Sequence, residues 1–280
     1  MKSIEELRET KSTFDISRAI SDGWKLVSQH LGYYIGAGLI TVIISMFIGF
    51  IPFAGGLINN LIVSPCFAAS GIFITWQISK GHGWTDFGDM FKGFSYATPV
   101  LISTLIQSLV MVLIGLLCFF SLIPQLVDLW DLSQGGGAYQ NQEELTTLAR
   151  SIFFNPKNIL LFALFMLAML LVTVVWAFKL HFIVVYKMDA WPAMELSRRV
   201  AAANLLRLAG LFIVIGIIVF ISVLPCGIGL LFSLPLSIGA VYSAFAQITG
   251  SDQPDESNYM FDFMAGENNG PIGDGTSITP

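Results

Sequence analysis

Charge is scarce in this sequence. Only 12% of its 280 residues are Asp, Glu, Lys or Arg, against 55% hydrophobic residues, and the mean hydropathy is +0.73. Soluble domains carry roughly 25% charged residues, so this chain has too little charge to cover a surface facing water. Cysteine is rare as well. Cys66, Cys118 and Cys226 lie in or beside apolar segments without metal-ligand spacing, and read as inert, packed thiols. His30, His82 and His181 are far apart, and no HExxH run, P-loop or dinucleotide fingerprint is present. A G-x-S-x-G elbow is also missing. "GHGWTDFGD" reads as a flexible turn, with Asp86 and Asp89 solvated. We therefore expect no enzyme, no catalytic, cofactor-binding or metal residues, and no nucleic-acid partner. From Gly250 to Pro280 there is no Lys or Arg at all. That acidic tail, rich in Gly, Asn, Asp and Ser, is too polar to bury a core and is expected to be disordered. Its apolar stretch, Tyr259 to Met264, reads as incidental rather than as a docking motif.

What the chain does have is long apolar runs. About 20 apolar residues span a hydrocarbon core as helix, and six runs reach that length: about Leu31–Ile51, Leu57–Ile78, Thr98–Ile123, Asn158–Phe178, Leu208–Leu224 and Leu230–Ile248. The alternation of a membrane β-barrel is lacking. The expected fold class is all-α: a polytopic helical membrane protein with residues 1–250 as a six-span domain and 251–280 as the tail. The N-terminal segment mixes bases and acids and has no early apolar core, so it does not read as a cleaved signal.

Three polar–apolar segments read as amphipathic helices lying in the membrane interface. The first follows Ser12-Thr13-Phe14-Asp15, which fits a capping box, and carries Ile16, Ile20, Trp24, Val27 and Leu31 at helical spacing. The second places Trp84, Phe87, Met90, Phe91 and Phe94 on one face. The third, from Asp189, has Pro192 in its first turn and Glu195 four residues before Arg199, suited to an ion pair. Trp24, Trp84 and Trp191 are expected at headgroup depth. In the connection 124–157, one short helix capped by Asn141 is expected.

"GFIPFAGGL" and "SVLPCGIGL" echo each other. Pro52 aligns with Pro225, Gly56 with Gly229 and Leu57 with Leu230. Each joins two spans, so the pattern predicts two related helical hairpins and suggests an internal repeat. Pro ends the outgoing helix and glycine lets the chain reverse in little space.

With six spans, one face collects Lys2, Arg8, Lys11, Arg18, Lys25, Lys80, Lys92, Lys179, Lys187, Arg198, Arg199 and Arg207, and the other only Arg150 and Lys157. The positive-inside rule then puts both termini in the cytoplasm, with the interfacial helices against the anionic cytoplasmic leaflet of the lipid bilayer. Lys179 and His181 fall near that end and read as snorkelling side chains. Ser103, Thr104, Gln107 and Ser108 read as helix–helix contacts. Pro65 after Ser64, and Pro235 between Ser233 and Ser237, read as kinks. Such broken helices in two halves also suit a transporter site.

The stretch from Trp176 to Phe245, with its "A-x-x-x-S" helix (Ala193, Ser197), Gly-rich turn and Pro-containing last span, resembles a broad group of poorly characterised bacterial inner-membrane proteins. "ISKGHGWTDFGDMFKGF" is similar to that group's small-residue turn and aromatic helix. The group includes the membrane-anchor domain of some glycerophosphodiester phosphodiesterases. The resemblance implies a six-span inner-membrane protein, and it implies no shared activity, since the phosphodiesterase domain is not part of it. The expectation is a protein without catalytic chemistry, structural, scaffolding or regulatory in the bacterial envelope. The alternative is a small transporter or channel. The protein partner stays unknown and self-association stays open.

Overall fold

The computed structural model describes residues 2–9, 13–52, 54–81, 86–134, 142–225 and 227–251. Ser12, His82, Trp84, Asn141, Cys226 and the tail lie outside them, and with them the expectations attached to those residues. Among the described residues the chain is all-helical, and six helical stretches are long and apolar enough to cross a membrane. The protein is a polytopic helical membrane protein.

Two short helices come first, α1 (Ile4–Glu9) and α2 (Ile16–Ser28). The first span is α3 (Leu31–Gly49). The second is continuous from α4 (Ala54–Ile58) through a π-helical turn, Asn59–Val63, into α5 (Ser64–Ser79). A 3₁₀ segment, Phe87–Tyr96, leads into the third span, α6 (Ala97–Phe119). After a single 3₁₀ turn come α7 (Ile123–Gln134) and α8 (Gln142–Phe153). The fourth span is α9 (Pro156–Val175), broken at Trp176–Phe178 and resumed as α10 (Lys179–Val185). Then α11 (Ala190–Ala203) precedes the last two spans, α12 (Leu205–Val223) and α13 (Leu230–Thr249).

The spans match their expected limits to within a few residues, because apolar length is set by the bilayer. Three local details differ. Pro124 does not stop the chain: it sits in the first turn of α7, where its missing N–H is no loss. The cap of α2 is Asp15 itself, whose carboxylate accepts the Arg18 N–H at 2.7 Å. The reciprocal box lies earlier, where Ser3 Oγ accepts the Glu6 N–H (3.2 Å) and Glu6 Oε2 the Ser3 N–H (2.8 Å).

Burial is concentrated at one end of the bundle, where both described chain ends meet. The core there joins Phe178, Phe182, Leu208, Leu211, Tyr242 and Phe245, all within 2% of full burial. At the other end Phe47, Leu117, Phe120, Phe154 and Phe220 are at least 70% exposed, as expected of side chains whose solvent is lipid. α13 is the most enclosed span, and it packs along α2 as well as against α3, α5 and α12.

Of the α2 face read from the sequence, Val27 is buried and Ile16 and Ile20 pack against the core. The buried stripe is Ala19, Gly23 and Val27, and Trp24 lies on the exposed side. The helix lies on α13 because both partners lack side chains where they cross: a Cβ on Gly23 would come 2.5 Å from the Ala240 nitrogen, and one on Gly239 would come 2.5 Å from the Gly23 carbonyl. Helix α11 likewise buries Ala193, Met194, Leu196, Ser197 and Ala201 while Trp191 stays exposed. In the 3₁₀ segment, Met90 and Gly93 pack on the second span, and Phe91 and Phe94 flank Phe67 at 5.8 and 5.3 Å.

The two hairpins use their glycines alike, with one shift. A Cβ on Gly229 would press on the Ser222 carbonyl at 2.7 Å, and one on Gly55 would collide with the Ile48 carbonyl the same number of residues back. Gly56, the expected counterpart of Gly229, has open space around it.

Candidate functional site

The polar groups of the packed end fall into three sets. The first surrounds the break in the fourth span. Ser197 Oγ, fully buried on α11, accepts the Phe178 N–H at 3.1 Å and donates to the Val175 carbonyl at 3.0 Å. One hydroxyl therefore serves a main-chain donor and a main-chain acceptor at the break. The same break turns Lys179 and His181 inward. Lys179 is 6% exposed, and its ammonium donates to the Ser103 carbonyl of α6 at 3.1 Å. His181 is 4% exposed, with its ring among Phe178, Tyr242 and Phe245. Its nitrogens make no hydrogen bond of normal geometry, although the Ala177 carbonyl one turn back contributes electrostatically. Neither side chain snorkels. The helix break rotates α10 so that both face protein, which apolar periodicity does not reveal.

The second set pins the chain ends. Lys2 donates its N–H to the Thr249 carbonyl (2.9 Å) and its ammonium to the Ile248 carbonyl (3.3 Å), at the C-terminal end of α13 where helix dipoles favour cations. Tyr186 donates its hydroxyl to the Lys2 carbonyl at 3.1 Å, and burial pushes its phenol up to about 12. Gly250, at φ 67°, takes the left-handed turn that ends α13.

The third set is open. A cleft of about 730 Å³ between α2, the start of α12 and the C-terminal end of α13 is lined by Thr13, Ser17, Arg18, Arg207 and Gln247, with Phe14 and Ile16 among its apolar walls. Gln247 Oε1 accepts the Asp15 N–H at 3.0 Å and so holds the start of α2 in place. Arg18 and Arg207 are remote in sequence, so no local motif marks this cleft.

The prolines behave differently from each other. Before Pro65 the helix widens into the π turn, in which the Ser64 N–H reaches the Asn59 carbonyl. Ser64 faces outward, and Asn59 Oδ1 is buried without a hydrogen bond. Pro235 stays inside a continuous α13, with Ser237 Oγ donating to the Ser233 carbonyl at 2.6 Å and Ser233 Oγ buried without a hydrogen bond. Ser103 contributes its carbonyl to Lys179, while Gln107 and Ser108 are half-buried. Asp86 is exposed and Asp89 half-buried. Cys66 is buried against the core and Cys118 is half-buried. Among the described residues no three His, Cys, Asp or Glu side chains converge as metal ligands.

Comparison with protein families, with curated proteins and with solved structures finds no match.

Proposed function

We propose that the protein is a non-enzymatic multi-pass protein of a bacterial inner membrane, with both termini cytoplasmic and a structural, scaffolding or regulatory role. The observation that carries this reading is the use of the buried polar groups. Lys179 and Ser197 bind main-chain carbonyls and an N–H inside the packed end, which is what a rigid anchor requires. The basic side chains gather at that same end, including the exposed Arg198 and Arg199 of α11, and so favour an anionic cytoplasmic leaflet there. The resemblance to bacterial membrane-anchor domains agrees with the placement. Single cysteines on a cysteine-free background test the orientation in intact cells: Ser3→Cys is expected to resist an impermeant thiol reagent and Asn155→Cys to react. The reverse pattern would reject it.

A small transporter is the second reading. The buried, unbonded Asn59 Oδ1 and Ser233 Oγ, beside the π turn and Pro235, are its support, since broken helices line transport sites. Saturable uptake into proteoliposomes, lost in both Pro65→Ala and Pro235→Ala, would favour it. An anchor shows no such uptake.

A further inference from the structure

We propose that the cleft holding Arg18 and Arg207 binds the phosphate of a phosphate ester, with a membrane phospholipid headgroup as the source its position favours. The two arginines come from different elements, α2 and α12, and line one cavity of about 730 Å³. Both are exposed, and among the described residues neither is ion-paired. The one acid in the cleft, Asp15, has an oxygen engaged by the Arg18 N–H at 2.7 Å. Two guanidinium groups and one carboxylate leave a single net positive charge, which matches the single negative charge of a phosphodiester. Guanidinium forks suit phosphate oxygens because they present parallel N–H donors. Thr13 and Ser17 add hydroxyl donors at the wall.

The depth of the cleft argues for lipid. Arg207 lies in the first turn of a membrane span, and its neighbour Leu206 is 87% exposed, an arrangement that places an apolar side chain in acyl chains and the guanidinium at headgroup level. Ile16 crosses to α12 beside Gly210, where a Cβ would come 3.2 Å from its Cδ1. The cleft thus sets apolar wall residues, Phe14 and Ile16, beside the two guanidinium groups. The Gln247 bond to Asp15 keeps α2 at the right distance from α13 for both arginines to share the cavity. The inference makes specific the lipid contact proposed above and rests on that reading only for the leaflet being anionic.

The test uses the full chain in nanodiscs of zwitterionic lipid with a minority of phosphatidylglycerol. Native mass spectrometry reads the phosphatidylglycerol retained after release. Arg18→Gln with Arg207→Gln is expected to lower retention by about tenfold or more, since losing even one charge-assisted hydrogen bond is of that size. Arg198→Gln with Arg199→Gln is expected to leave it within about twofold, as long-range attraction is screened. Millimolar inorganic phosphate that protects the wild type, but not the Arg18/Arg207 variant, against heat would support the phosphate site and make the ligand soluble. Equal retention by both double variants and wild type, with no protection by phosphate, would overturn the site while leaving the anchor reading intact. Loss only in the Arg198/Arg199 pair would also overturn it. A photoreactive phosphatidylglycerol analogue on wild-type protein is a check independent of variant folding. Cross-links are expected on the peptides holding Thr13–Arg18 and Arg207, and cross-links confined elsewhere reject the assignment.

Discussion

Gly23 and Gly239 face each other across the crossing of α2 and α13, each closing on the other's main chain at a distance that no Cβ tolerates. This contact, together with Ile16, Ile20 and Val27 of the apolar face, sets where the N-terminal helix lies. Gly23→Ala or Gly239→Ala is therefore expected to destabilise by about 1–3 kcal/mol, the usual cost of overpacking. Gly216→Ala, with nothing within 4 Å of its Cβ position, is expected to be neutral or slightly stabilising, since alanine is the better helix former. Thermal unfolding in one detergent compares the three, and proteolysis near Arg18 should rise only in the first two.

Ser197 is the second expected weak point. Ser197→Ala leaves the Phe178 N–H and Val175 carbonyl without their partner, and a buried polar group left unsatisfied costs about 1–3 kcal/mol. Ser237→Ala removes only a back-bond within one helix, and its effect should stay within about 0.5 kcal/mol. Amide exchange at Phe178 separates local loosening from global unfolding. Unchanged exchange in Ser197→Ala would remove the bridging role.

The hairpin turns predict a contrast between adjacent residues. Gly55→Ala meets the Ile48 carbonyl and should cost about 1–3 kcal/mol, whereas Gly56→Ala enters open space and should change stability by a few tenths of a kcal/mol. Midpoints of thermal unfolding suffice to check the order.

Two groups outside the spans set pH limits. Hydrogen bonds from Arg198 and Arg199 hold the Glu195 carboxyl at about 2. Its contribution is present above the unfolded value near 4.5 and is lost as pH falls towards 2. The group is about a third exposed, so the loss is small and shrinks with salt. The carboxyl carbon resonance of Glu195 should titrate well below the other glutamates. Tyr186 acts at the other limit. Burial raises its phenol to about 12, so its contribution holds below about 10, the unfolded value, and is lost as pH rises between the two. Tyr186→Phe should show a flatter alkaline limb; an identical limb would mean that other groups dominate.

The sequence by itself determined the number of spans, their limits and the side on which basic residues collect, because these follow from apolar length and charge along the chain. It also disclosed Glu195 with Arg199, a contact between neighbours on one helix. Tertiary structure alone decided that Gly23 meets Gly239 while Trp24 stays exposed, that Gly55 rather than Gly56 closes its turn, that Lys179 and His181 point inward, and that Arg18 and Arg207 share a cleft. In a membrane helix apolar residues face lipid and protein alike, so hydrophobic periodicity no longer marks the packed side. Close approach of small residues and single hydrogen bonds choose it instead, and these depend on which helices meet.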